Sequence, residues 1–103
     1  MAIRCIKFRP VIKNTLKGFA DLELTRVGIV LRDCPLHEKN GQEWVGFAAK
    51  PYQTKNGETA WQPIVEFAAG ASREREEFQR HAIEAIHSFT ARDREIDDVY
   101  FPG

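Results

Sequence analysis

The chain predicts an α+β fold: a five-stranded antiparallel β-meander with one long C-terminal helix packed on one face, assembled as a dimer. Three observations predict it. Two Asn-Gly pairs, Asn40-Gly41 and Asn56-Gly57, separate apolar runs in the middle of the chain, and Asn-Gly supplies the positive φ angles of tight hairpin turns. Phe19 to Thr25 alternates with a period of two, Ala20, Leu22 and Leu24 facing one way while Asp21, Glu23 and Thr25 face the other, as a half-buried strand does. After Gly70 the apolar period lengthens to three and four residues, the spacing of a helix. The length of 103 residues, with 43% hydrophobic and 29% charged residues, is that of one ordinary globular domain.

The elements follow in order. Ile3 to Phe8 reads as a first strand, followed by Pro10 and a polar turn at Lys13-Asn14-Thr15. Phe19 to Thr25 is the second, and Arg26 to Gly28 turns into a third, Ile29 to Leu36. Asn40-Gly41 leads to a fourth, Trp44 to Phe47. Pro51 and Tyr52 begin a longer loop before Asn56-Gly57, and Thr59 to Phe67 is the fifth strand. Pro63 donates no ladder hydrogen bond and places that strand at an edge or at a bulge. Ser72 is an N-cap candidate, with Glu74, Glu76 and Glu77 near the positive end of the helix dipole. The helix is expected from about Arg73 to Ala91, with Phe78, Ala82, Ala85, Ile86 and Phe89 as its apolar stripe. Arg73–Glu77, Glu76–Arg80 and Arg80–Glu84 are i,i+4 pairs on its polar side. Residues 1–92 form the domain, and Asp93 to Gly103 is an acidic tail ending in Val99-Tyr100-Phe101-Pro102.

Charge narrows the function. The net charge is zero, unlike a dedicated basic nucleic-acid-binding domain, yet residues 1–32 carry +5 and residues 33–103 carry −5. A folded chain can therefore present a basic and an acidic face, or pair them between two copies. No apolar run approaches the roughly 20 residues of a membrane helix, and Met1 to Cys5 shows no signal-peptide core. The expected location is the cytoplasm. There Cys5 and Cys34 are reduced, buried thiols rather than a disulfide.

Chemistry is sparse. Cys34-x-x-His37 puts two ligand types on opposite sides of a strand, and His81 and His87 point in different directions on the helix. There is no CxxC, HExxH, GxGxxG or Walker pattern. Neither an enzyme, a metal nor a cofactor is expected.

Binding has more support. Lys50 to Gly57 interleaves Lys50 and Lys55 with Tyr52, a combination that meets phosphates through lysine and stacks a base on tyrosine. Arg73, Arg75 and Arg80 open the helix and are suited to grip a phosphate backbone, against the opposing charge of Glu74, Glu76, Glu77 and Glu84. Trp44 and Trp61 read as core or interface anchors, or as stacking platforms if they lie on the sheet face opposite the helix. Apolar residues on both faces of some strands, such as Val30 beside Ile29 and Leu31, imply that something covers the second sheet face. A symmetric dimer is the simplest cover, and a chain this short, burying only about 60–65% of its unfolded surface, gains from one.

Lys17-Gly18-Phe19-Ala20-Asp21-Leu22-Glu23-Leu24, Gly28-Ile29-Val30-Leu31-Arg32-Asp33, Glu38-Lys39-Asn40-Gly41 and Trp44-Val45-Gly46-Phe47 together resemble the stage V sporulation protein G family, over about residues 15–90. That family is similar in its strand, its hydrophobic strand ending in Asp, its Asn-Gly hairpin, its lysine-containing loop and its C-terminal helix with paired apolar residues, here Phe78 and Ile83 to Ile86. The resemblance implies a small antiparallel sheet with a C-terminal helix, a dimer formed through the sheet, and nucleic-acid binding in bacteria through residues near the helix start, here Arg73 and Arg75 with Arg80 beyond. Phe47-Ala48-Ala49-Lys50-Pro51 departs from the family's proline-serine-lysine segment, and the helix is unusually acidic. A second outline is similar to the single-strand-binding transcriptional coactivator domains of the positive-cofactor type, which implies contacts in the sheet through Lys7, Lys17, Arg26 and Arg32.

The expected function is that of a small dimeric bacterial regulatory protein binding DNA or RNA, single- or double-stranded, without catalysis. The alternative is a protein-interaction or structural module in which the second sheet face and the tail engage another protein.

Overall fold

A computed structural model of the protein describes the backbone of residues 1–100 and the side chains of residues 1–92. It is α+β and antiparallel, with one C-terminal helix, but the strands form two sheets rather than one five-stranded meander. β1 (Ile3–Lys13), β2 (Leu16–Leu24), β3 (Ile29–Lys39) and β4 (Gln42–Val45) make a four-stranded sheet in chain order. β5 (Ala49–Gln53) and β6 (Thr59–Pro63) pair only with each other, as a separate two-stranded ribbon. α1 (Ser72–Tyr100) closes the order.

Turn chemistry accounts for the sheet. Lys39 pairs with Gln42 across Asn40 and Gly41, whose φ angles are 54° and 82°, so the first Asn-Gly is a two-residue turn with both central residues left-handed. The second Asn-Gly closes a hairpin of another kind. The Thr54 N–H donates to the Glu58 carbonyl at 2.9 Å and the Gly57 N–H to the Thr54 carbonyl at 3.0 Å. Of the residues between, Gly57 alone is left-handed, at 79°. This is a three-residue loop of the bulged type. Its first strand is the segment around Pro51 and Tyr52 that the sequence assigns to a loop. The expected fourth strand stops at Val45, two residues before Phe47, and the expected fifth stops at Pro63.

The core lies between the four-stranded sheet and α1. Cys5, Ala20, Leu22, Cys34, Leu36 and Val45 come from the sheet and meet Phe78, Ala82 and Ile86 of the helix, all buried. Ala85 and Phe89 pack at the margin, so the whole predicted stripe faces the sheet. Phe47, Phe67 and Phe78 gather at 4.9–5.6 Å between ring centroids and close the end of the core where the helix begins. Cys5 and Cys34 are unbridged and buried, and burial pushes the Cys34 thiol up to about 12. α1 is longer than expected, and Gly or Pro does not recur after Gly70 until Pro102. Of the predicted tail, residues 101–103 and the side chains of 93–100 lie outside the described residues.

Candidate nucleic-acid interface

The ribbon carries three of the predicted contact residues. Every residue of β5 and β6 is exposed except Ala60, which is half-buried. Pairing Lys50 with Gln62 and Tyr52 with Ala60 puts Lys50 and Tyr52 on one face, while Pro51 pairs with Trp61 on the other. Lys55 sits in the loop at the tip. Trp61 is 65% exposed and Trp44 39%, so neither tryptophan is a core anchor of this chain.

The three arginines of the helix start are not gathered into one cluster. The Arg75 guanidinium stands 5.9 Å from the Phe67 ring centroid and lines an open cavity with Pro63, Val65 and Phe67 at the ribbon's base. Arg73 turns to Glu77 at 3.8 Å. Arg80 is exposed farther along the helix. Among the described residues, Arg73–Glu77 is the one predicted i,i+4 pair that closes within ion-pair distance.

The sheet face turned away from α1 is the surface that the sequence reading assembles least completely. Register sets its rows, because paired residues share a face. Arg4 pairs with Glu23 and Val30, Lys7 with Asp21, Arg9 with Phe19 and Pro35, and Leu16 with Lys13, His37 and Trp44. Edge strand β1 thus contributes a basic residue to each row. The Arg9 guanidinium lies over the Phe19 ring at 5.2 Å. His37 and Trp44 stack at 5.2 Å with 12° between planes, and the Thr15 hydroxyl holds His37 Nδ1 at 2.9 Å. Arg32 donates to Asp21 Oδ2 at 2.9 Å and Arg4 to Glu23 Oε1. Lys7, Arg9 and Lys13 make no ion pair among the described residues.

Of the sheet cations that the second resemblance implies, Lys7 stands exposed on this face and Arg32 is engaged by Asp21. Arg26 is in the β2–β3 turn. Lys17 is on the other side, at 3.2 Å from Glu38 and 3.5 Å from Glu43. Glu43 also meets His87 of the helix at 2.7 Å. The bulge at Lys17, between the Leu16 and Gly18 pairings, moves its side chain across. Arg4, Arg9, Lys13, Phe19 and His37 are residues of this face that sequence reasoning does not assign to binding, and the alternation of Lys7 and Arg9 in β1 is the available signal.

Cys34 is buried on the helix side while His37 faces outward, which separates the two candidate metal ligands. Among the described residues no helix is long and apolar enough to cross a membrane. Comparison with protein-family models, with curated proteins and with solved structures gives no match.

Proposed function

We propose that this protein is a small homodimeric bacterial regulator that binds nucleic acid and performs no catalysis. The observation that carries the reading is the β5–β6 ribbon, whose strands are exposed on both faces and which presents Lys50, Tyr52, Lys55 and Trp61. A two-stranded ribbon fits a major groove, lysines neutralise phosphates, and Arg75 extends the cationic surface at the ribbon's base. The regulatory role and bacterial setting rest on the resemblance to the stage V sporulation protein G family.

Fluorescence anisotropy of the full chain with labelled single-stranded DNA, duplex DNA and single-stranded RNA, at 50 and 200 mM salt, tests the reading. We expect binding that weakens about ten-fold or more between the two salts, as several phosphate contacts require. Lys50→Glu with Lys55→Glu, or Arg73→Glu with Arg75→Glu, weakens it further. Absence of binding to all three probes at 50 mM overturns the reading. The chain would then be a protein-interaction module. The apolar crevice among Leu24, Ile29, Leu31, Phe47, Val65 and Phe67 is the surface such a module would use.

A further inference from the structure

We infer that the sheet face opposite α1 is a platform for single-stranded nucleic acid, with the backbone following β1 and bases stacking over the inner strands. The inference rests on the nucleic-acid reading and adds to it a substrate class and a surface separate from the ribbon and the helix start.

Charge complementarity is the first support. Arg4, Lys7, Arg9 and Lys13 share one side of edge strand β1 through the register shifts at Cys5/Lys7 and Pro10/Lys13, and of these Lys7 and Arg9 are two residues apart, about 6.7 Å along the strand. Three of the carboxylates near them are Asp21, Glu23 and Asp33. Asp21 is occupied by Arg32 and by the Asp33 N–H at 3.0 Å, and Glu23 by Arg4. Asp33 makes no ion pair among the described residues and, together with Asp21, shares a 40 Å³ cleft with Lys7, Arg9 and Phe19, where the two carboxylates offset part of the charge of Lys7 and Arg9. Lys7, Arg9 and Lys13 close no ion pair among the described residues, which leaves their head groups able to meet phosphates.

Ring faces are the second support, and they select single strands. His37 on β3 and Trp44 on β4 are cross-strand partners and stack on each other, Trp44 keeping 39% of its surface exposed, while Phe19 lies in a neighbouring row, opposite Pro35 and under the Arg9 guanidinium. A base offers its own ring face only when it is out of a duplex stack. A broad sheet does not enter a groove as a helix or a ribbon does. A cationic track beside stacking rings is the arrangement by which sheets hold unpaired strands.

The test is anisotropy of the full chain with fluorescein-labelled 15-mers of dT and rU and a 15-base-pair DNA duplex. Wild type should prefer the single strands, and the preference between dT and rU assigns DNA or RNA. Trp44→Ala should weaken single-strand binding by about 5- to 150-fold with an unchanged salt slope, as loss of one stacked base does. Lys7→Gln with Arg9→Gln should flatten the slope by about 1.4, two phosphates at roughly 0.7 each. Both positions are exposed, and far-ultraviolet circular dichroism checks that the variants fold. A duplex preference, or single-strand binding that survives these substitutions and is lost only in Arg73→Glu with Arg75→Glu, overturns the platform while leaving nucleic-acid binding in place. Failure of wild type to bind any probe overturns both.

Discussion

Asp21 is the one buried charged side chain among the described residues, 7% exposed, and its place is set by a bulge. Ala20 pairs with Cys34 and Leu22 with Leu31, so Arg32 and Asp33 together stand opposite Asp21, and Asp33 is left-handed at φ 54°. The carboxylate accepts the N–H that this irregularity frees, at 3.0 Å, and the Arg32 guanidinium at 2.9 Å. The Asp33 N–H, followed by Arg32, holds the Asp21 pKa below its ordinary value of 3.8. A lowered pKa stabilises the fold above the unfolded-state value, and that stability is lost as pH falls through the folded one. Asp21→Asn should cost about 1.5–3 kcal/mol at pH 7, the worth of hydrogen bonds to a charged group. Urea unfolding at pH 7, 5 and 3 should show the gap to wild type narrowing at the lowest pH, and a constant gap would show that the charge contributes nothing.

At the scale of elements, the short β4 depends on one helix side chain. Gly46 N–H donates to the Pro35 carbonyl at 2.8 Å, which leaves both backbone groups of neighbouring Val45 pointing out of the sheet. Gln79 serves as the missing strand: its Oε1 accepts the Val45 N–H at 2.8 Å and its Nε2 donates to the Val45 carbonyl at 2.7 Å. Gln79→Ala should therefore destabilise the chain by about 1–3 kcal/mol, the cost of unpaired buried groups, read from the urea midpoint at constant m-value. An unchanged midpoint would mean that water replaces the amide without cost. Such a clamp is invisible in sequence, since Gln79 lies beside an apolar stripe with nothing to mark it. What was legible were features with local causes: Asn40-Gly41, the alternation of β2 and the stripe from Phe78 to Phe89. The division into two sheets was not, because it follows from where β4 stops at the Gly46–Ala48 crossing and from a pairing of Pro51 with Trp61 in a segment that reads as a loop. Of the candidate site, Lys50, Tyr52 and Lys55 share the ribbon as their closeness in sequence suggested. The face uniting Arg9, Phe19, His37 and Trp44 needed the register of four strands.

Among the described residues the outer edge of β1, part of β3 and the whole ribbon are without further sheet partners. β4 pairs with β3 only over Leu36–Lys39, so Ile29–Asp33 has no strand partner on the side away from β2; Phe47 and Val65 line a crevice with Ile29 and Leu31, and Ile29 remains 49% exposed. An isolated two-stranded ribbon is marginal by itself, and two copies offer each other both an edge and a ribbon in closed two-fold symmetry. Sedimentation equilibrium should give about twice the 11.8 kDa chain mass at micromolar concentration, and an 11.8 kDa species throughout would refute the dimer. The ribbon's own register limits how far such joining proceeds. Ala48 accepts the Ile64 N–H and Glu58 accepts the Thr54 N–H, so the intervening Ala49–Pro63 and Pro51–Trp61 pairs are of the wide type, with N–H groups directed outward. Proline has no N–H to direct. Each border of the ribbon thus carries one gap in its row of donors, at Pro51 on β5 and Pro63 on β6. Both borders of the ribbon are in this way interrupted as templates for continued strand addition, the device by which exposed strand edges limit fibril growth.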